Sequence, residues 1–233
     1  MTTNESAVEP EPGSTDAALS WREAAVSRSL DSARARAESR VQRFLDAALE
    51  LMSEGGSGRD FTVQEVVERS GQSLRSFYQY FGGKHELLLA LFEESVRTTT
   101  DLLREQIEQQ DDAFSRLHCF VVEYYRICRP AKKGKVPTAP VMVDFAQQLL
   151  TAHPTEAAMA FAPLVQLFTE VLDDAAASGA IRSGLRSGPI AGVVLEAIMF
   201  NAFSSTIGGI SALKPVADPG EELWDLIING IGS

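Results

Sequence analysis

Between Arg69 and His85 the chain contains no Asp or Glu, although it carries 32 acidic against 21 basic residues and a net charge of −11. Arg75 and Lys84 lie inside this acid-free stretch, with Gln72, Ser73, Leu74, Ser76, Tyr78 and Tyr80 around them. Guanidinium, ammonium, hydroxyl and amide donors gathered without carboxylates suit a polyanion. Arginine is the side chain that most often reads guanine, through two hydrogen bonds to its edge, and an apolar neighbour such as Leu74 suits a thymine methyl. Tyr78 and Tyr80 join apolar rings to polar tips. Lys84, with the backbone N–H groups of a helix start, suits a phosphate. The chemistry expected here is recognition of double-stranded DNA.

Covalent or metal-assisted chemistry finds little footing. His85, His118 and His153 are far apart in sequence and show no HxxxH-type spacing, so no metal site is expected. No serine sits in a nucleophile-elbow context. Gly83-Lys84 does not continue a nucleotide phosphate loop, because Tyr78 stands where a glycine is needed and His85 where Ser or Thr is needed. Neither a catalytic residue nor a cofactor is expected. Cys119 and Cys128 fall on opposite faces of one helix and cannot pair within it. They read as small buried hydrophobes or as a redox pair.

The DNA-facing groups need a short helix, a tight turn and a second helix. Thr62 to Glu65 has the form of a capping box, so a helix is predicted from Val63 to Arg69. Ser70-Gly71-Gln72 supplies the turn, and Ser73 caps a helix running to Tyr80. Eight helical residues span about 12 Å, close to the roughly 12 Å width of the major groove. Val66 and Phe77 are placed to pack the two helices together, and Phe81 joins that core. Upstream, Val41, Phe44, Leu45, Ala48, Leu49 and Met52 form a core-facing stripe on a helix from Trp21 to about Glu54. After Gly82-Gly83 a long amphipathic helix is predicted from Lys84 to about Gln109.

The run from Phe61 to Leu91 resembles the DNA-binding domain of the TetR family of transcriptional regulators. The resemblance rests on Thr62, on the block SGQSLRSFYQYF, on Lys84 followed by Glu86-Leu87-Leu88, and on the spacing from Tyr78 through Phe81 to Lys84. It covers roughly residues 38–92. Ser70 and Gln72 depart from it, since the family usually has Ala and an apolar residue there. The resemblance implies a repressor by default and places the Tyr78 and Tyr80 hydroxyls on phosphates. Read from the residues, Thr62, Ser73, Leu74, Arg75, Ser76 and Lys84 are the other DNA-facing candidates, and Gln72 either points outward, where it can touch phosphate, or finds a partner. The resemblance also implies a homodimer on a palindromic operator and a second domain that senses a small molecule.

The expected organisation is all-α: a disordered acidic tail (1–20), a helix-turn-helix domain with an Arg-rich extension (21–83), and a larger regulatory and dimerisation domain (84–233). The arginines at 22, 28, 34, 36, 40 and 43 form either an exposed helical face or an arm that adds groove and phosphate contacts. Lys132, Lys133 and Lys135 sit in a Pro- and Gly-marked loop. No signal peptide is recognised, and the apolar run Ala191–Phe203, broken by Glu196 and Asn201, is too short for a membrane span. A cytoplasmic, non-membrane protein is expected.

Phe114, Leu117, Val121, Tyr124 and Cys128 are predicted to share one helical face, and Phe161, Val165, Phe168 and Leu172 another. Residues 190–207 are mostly apolar. In the last helix Leu223, Trp224, Leu226, Ile227, Ile228 and Ile231 cover nearly the whole circumference. Such a helix must bury two sides, which predicts dimerisation. Phe120, Tyr124, Met142, Phe145, Phe161, Gln166, Phe168 and Phe200 are the candidate ligand-binding residues. They suit a hydrophobic molecule with Tyr124 or Gln166 as polar anchor. Two other readings fit the same residues: a regulator controlled by a protein partner, and a small-molecule-binding protein with a vestigial DNA motif.

Overall fold

The computed structural model describes residues 21–55, 61–129, 139–207 and 218–231. The acidic tail and the lysine loop lie outside the described residues, as does the side chain of Met142. The described residues form nine α-helices and no strand: α1 Trp21–Gly55, α2 Val63–Ser70, α3 Leu74–Tyr80, α4 Lys84–Glu108, α5 Ala113–Cys128, α6 Ala139–Ala152, α7 Pro154–Ala177, α8 Ser187–Ile207 and α9 Pro219–Ile231. No helix among them is long and apolar enough to cross a membrane.

The chain divides into two compact units, Met1–Gln42 and Arg43–Ser233. The described part of the first is the N-terminal stretch of α1. Arg28, Arg34, Arg36 and Arg40 are exposed, as are Trp21, Val26 and Leu30. Arg34 Nε donates to Glu38 at 2.7 Å, the i,i+4 pairing that stabilises a solvated helix.

The second unit holds the core. Phe44, Val66 and Phe77 are fully buried, so the predicted stripe of α1 and the predicted α2–α3 contact meet in one cluster. α4 packs along α5 and α7, α7 along α6 and α8, and α5 along α8 and α9. Phe120 of α5 and Phe168 of α7 stack at the centre, with ring centroids 4.3 Å apart and planes 11° from parallel.

Two predicted faces are corrected. Phe114 is exposed at 44% and meets Trp224 edge-on at 5.4 Å, because α9 covers only the rim of α5 there. On α7 the buried stripe runs through Ala157, Ala160, Leu164, Leu167, Phe168, Val171, Leu172 and Ala175, so Phe168 and Leu172 of the predicted face are in it. Phe161 and Val165 lie at its half-buried edge.

Candidate nucleic-acid interface

α2 begins as its sequence dictates. Thr62 Oγ1 accepts the Glu65 backbone N–H at 3.2 Å, and the Thr62 backbone N–H donates to Glu65 Oε2 at 2.8 Å. This is a complete capping box. α2 ends at Gly71, whose φ of 65° lies in the left-handed region and whose N–H closes on Glu68 and Val67 carbonyls. Only glycine takes this conformation without a Cβ penalty. Ser73 then caps α3, accepting the Ser76 N–H at 3.1 Å.

The single buried residue of α3 is Phe77. It touches Phe44 edge-on at 5.4 Å and Phe81 at 5.3 Å. At about 100° per residue, the direction opposite Phe77 falls between Arg75 and Gln79. Both are exposed, as are Ser73, Leu74 at 43% and Tyr78 at 57%. Phe77 thus acts as the keel, and the polar face points away from the core. Gln79 was not among the residues singled out from the sequence. Its signal was available, since it stands one turn beyond Arg75.

The remaining candidates are more engaged. Gln72 and Tyr80 are half-buried. Ser76 Oγ is buried without a hydrogen-bond partner, on the inner side of α3. Thr62 Oγ1 also donates to Glu65 Oε2 at 3.0 Å, so its hydroxyl is committed to the cap. Lys84 Nζ donates to the Phe61 carbonyl at 2.7 Å and lies 4.4 Å over the Phe61 ring. At this helix start Gly82 N–H donates to Glu86 Oε2 at 2.6 Å. A Cβ on Gly82 would meet that carboxylate at 2.6 Å.

Arg69 anchors the rim, forming paired 2.8 Å bonds with Glu54 and one of 3.2 Å with Glu50. These carboxylates, the Glu54 pair first, raise its pKa further above its ordinary value. Arg69 is therefore matched within the protein, whereas Arg75 faces outward.

The ligand candidates separate into distinct places. Phe120, Tyr124, Phe145 and Phe168 are buried in the helical core. Burial, together with Cys128, pushes the Tyr124 phenol upward. Phe161 and Gln166 line a groove of about 580 Å³ between α6, α7 and α8. Leu150, Val165, Leu195 and Met199 supply more of its walls, and Glu196 adds a carboxylate. Phe200 stands 63% exposed on the outer side of α8.

Both cysteines are free thiols. Burial raises the pKa of Cys119 and pushes Cys128 up to about 12, the opposite of an activated thiol. Two of the three histidines, far apart in sequence, meet in the fold. His85 and His153 approach with ring centroids 4.6 Å apart, and Glu156 joins them.

The described residues are helical throughout their regular elements, and α2, the turn at Gly71 and the short capped α3 with its outward face form a helix-turn-helix. Residues 44–91 match the model of the bacterial regulatory proteins of the tetR family. Two relatives from Bacillus subtilis (strain 168) align over 88 residues, which is 38% of this chain and 45% of each relative. They are the uncharacterized HTH-type transcriptional regulator YvdT, 26% identical, and the fatty acid metabolism regulator protein, 23% identical. The chain thus spans about half the length of the curated relatives it matches.

Among solved structures, FadR from Bacillus subtilis in complex with stearoyl-CoA superimposes with a TM-score of 0.63 at 16% identity, over 82% of this chain and 98% of that one. FadR from Bacillus halodurans gives 0.64 at 17%, over 81% and 98%. The reduced form of Escherichia coli NemR gives 0.59 at 14%, over 83% and 97%. At these identities the likeness is one of fold.

Proposed function

We propose that the chain is a homodimeric repressor of a palindromic operator, released by a hydrophobic small molecule. The observation that carries this reading is the outward face of α3. Leu74, Arg75, Tyr78 and Gln79 are exposed on a helix held by the buried Phe77. Helix length, cap and exposed face all suit insertion into a major groove. The stretch between Arg69 and His85 contributes no carboxylate of its own, which suits phosphate.

Dimerisation is supported by α8. Val193 is 67% exposed and Phe200 63%, with Pro189 and Ala197 exposed between and beside them. Leu226 of α9 is 72% exposed. With α8 packed on α5 and α7, and α9 on α5, these helices still offer apolar side chains on the other side.

Effector binding is supported by the apolar groove against α8. Its Leu195 and Met199 share a helix with the outward Val193 and Phe200, so an occupant of the groove presses on the helix proposed to join the protomers. The complex of Bacillus subtilis FadR with stearoyl-CoA adds weight to a long acyl chain as the ligand class. Driving operator occupancy from 99% to 1% needs a preference for the free form of about 10⁴-fold, or 5.5 kcal/mol. By linkage, operator DNA weakens ligand binding by the same factor.

The test is selection of bound fragments from random DNA, followed by titration of the complex with acyl-CoA thioesters of increasing chain length. Release that grows with chain length supports the reading. Release independent of the chain, or none, rejects the acyl effector and leaves DNA recognition standing.

A further inference from the structure

The three side chains His85, His153 and Glu156 converge from the starts of two helices. His85 is in the first turn of α4 and His153 immediately precedes α7, with Glu156 in its first turn. His85 Nε2 lies 2.7 Å from Glu156 Oε2, across 71 residues of sequence. His153 Nδ1 lies 3.5 Å from Glu156 Oε1. One ligand atom from each of the three falls within 4.8 Å of the other two. We propose that this trio is a binding site for a zinc-class divalent cation, which would join the first turn of α4 to that of α7.

The chemistry of the donors favours that class. Two neutral imidazoles and a carboxylate suit zinc, cobalt, nickel or copper, whereas magnesium and calcium need oxygen-rich sites. Zinc–nitrogen bonds of about 2.0–2.1 Å place neighbouring ligand atoms at separations like those found here after small side-chain rotations. Three protein ligands leave a fourth position for water. Each side chain is between 34% and 40% exposed, so an ion can enter from solvent. Phe145 stands 5.7 Å from the His85 ring and closes one side with an apolar wall. Lys84, adjacent in sequence, points its ammonium at the Phe61 carbonyl.

The helix starts set the expected strength. The N-termini of α4 and α7 are positive ends of helix dipoles and oppose a cation. Glu156 offsets them with one negative charge. The site is therefore expected to bind reversibly rather than as a tight structural centre. Its position matters for function: α4 follows α3 through Phe81-Gly82-Gly83, so a bridge from His85 to α7 restrains the helix next to the reading helix.

The experiment uses the full chain stripped with EDTA and dialysed. Zinc is titrated by competition with a chromophoric chelator, and cobalt by its visible absorption. The wild type is expected to bind one equivalent per chain, with tetrahedral cobalt bands and no displacement by excess magnesium. His85→Ala and His153→Ala each lose at least about tenfold in zinc affinity, as removal of one of three ligands requires. His118→Ala retains wild-type binding, although His118 makes a similar 2.8 Å contact with Glu221. Circular dichroism checks that each variant is folded, and His85→Gln serves if the alanine variant is not. Zinc affinity unchanged in folded His85 and His153 variants overturns the proposal. So does a loss of equal size in His118→Ala.

Discussion

Phe77 meets Phe44 edge-on, with ring centroids 5.4 Å apart and planes at 88°. This contact ties α3 to α1 and turns Arg75 and Tyr78 toward solvent. Both rings are fully buried. Phe77→Ala should cost about 3–5 kcal/mol of folding stability. Chemical denaturation measures it. A loss under about 1 kcal/mol would mean that other contacts orient α3.

Arg75 and Gln79 differ from Arg69 in facing outward rather than toward carboxylates. Arg75→Ala should lose roughly 1–3 kcal/mol of specific DNA affinity and relax preference at one base pair. Gln79→Ala should weaken specific binding in the same way. Competition between selected and random DNA separates the possibilities. Equal losses on both would reassign the residue to phosphate contact.

The helix-turn-helix was legible because its local signals agree. Thr62 and Ser73 cap, Gly71 turns, and Phe77 alone is buried on α3. The regulatory half was less so. Periodicity marks a side chain as apolar, but does not tell the shared core of Phe120 and Phe168 from the groove edge at Phe161. The meeting of His85 with Glu156 is a tertiary event across 71 residues, invisible to spacing rules. One half of it, His153 and Glu156 three apart at a helix start, could have been noticed.

The outward stripe of α8 predicts an oligomer. Val193→Asp and Phe200→Asp place carboxylates in the proposed interface. Both positions are more than 60% exposed, so the monomer fold should persist. Sedimentation at micromolar concentration should show a dimer for the wild type and monomers for the double variant. A wild-type monomer, or a double variant that stays dimeric, would remove α8 from the interface.

Acid should weaken the fold through its capping aspartates. Asp218 accepts the Gly220 N–H at 2.9 Å and pairs with Arg126, and these bonds hold its pKa below the ordinary 3.8. Asp112, bonded to Ser115, is lowered as well. A folded pKa below the unfolded one gives stability that is complete above about pH 4. That stability is lost as pH falls through the depressed values. Unfolding free energy should therefore hold steady as pH falls from neutral toward 4 as far as these two groups are concerned, then decline. Asp218→Asn keeps an acceptor but removes the charge, so the decline should be shallower. An identical pH profile would deny Asp218 that role.

The central claim is that two copies of the 62–84 surface read DNA together. Its most direct measurement is selection from random duplexes at fixed salt, with stoichiometry and affinity determined on the enriched sequence. A palindrome bound by two protomers is expected, with half-site centres about 34–36 Å apart or a multiple of this. Affinity should be at least about 10³-fold above that for random DNA. Enrichment of an asymmetric sequence bound by one protomer, or no enrichment at all, would contradict it.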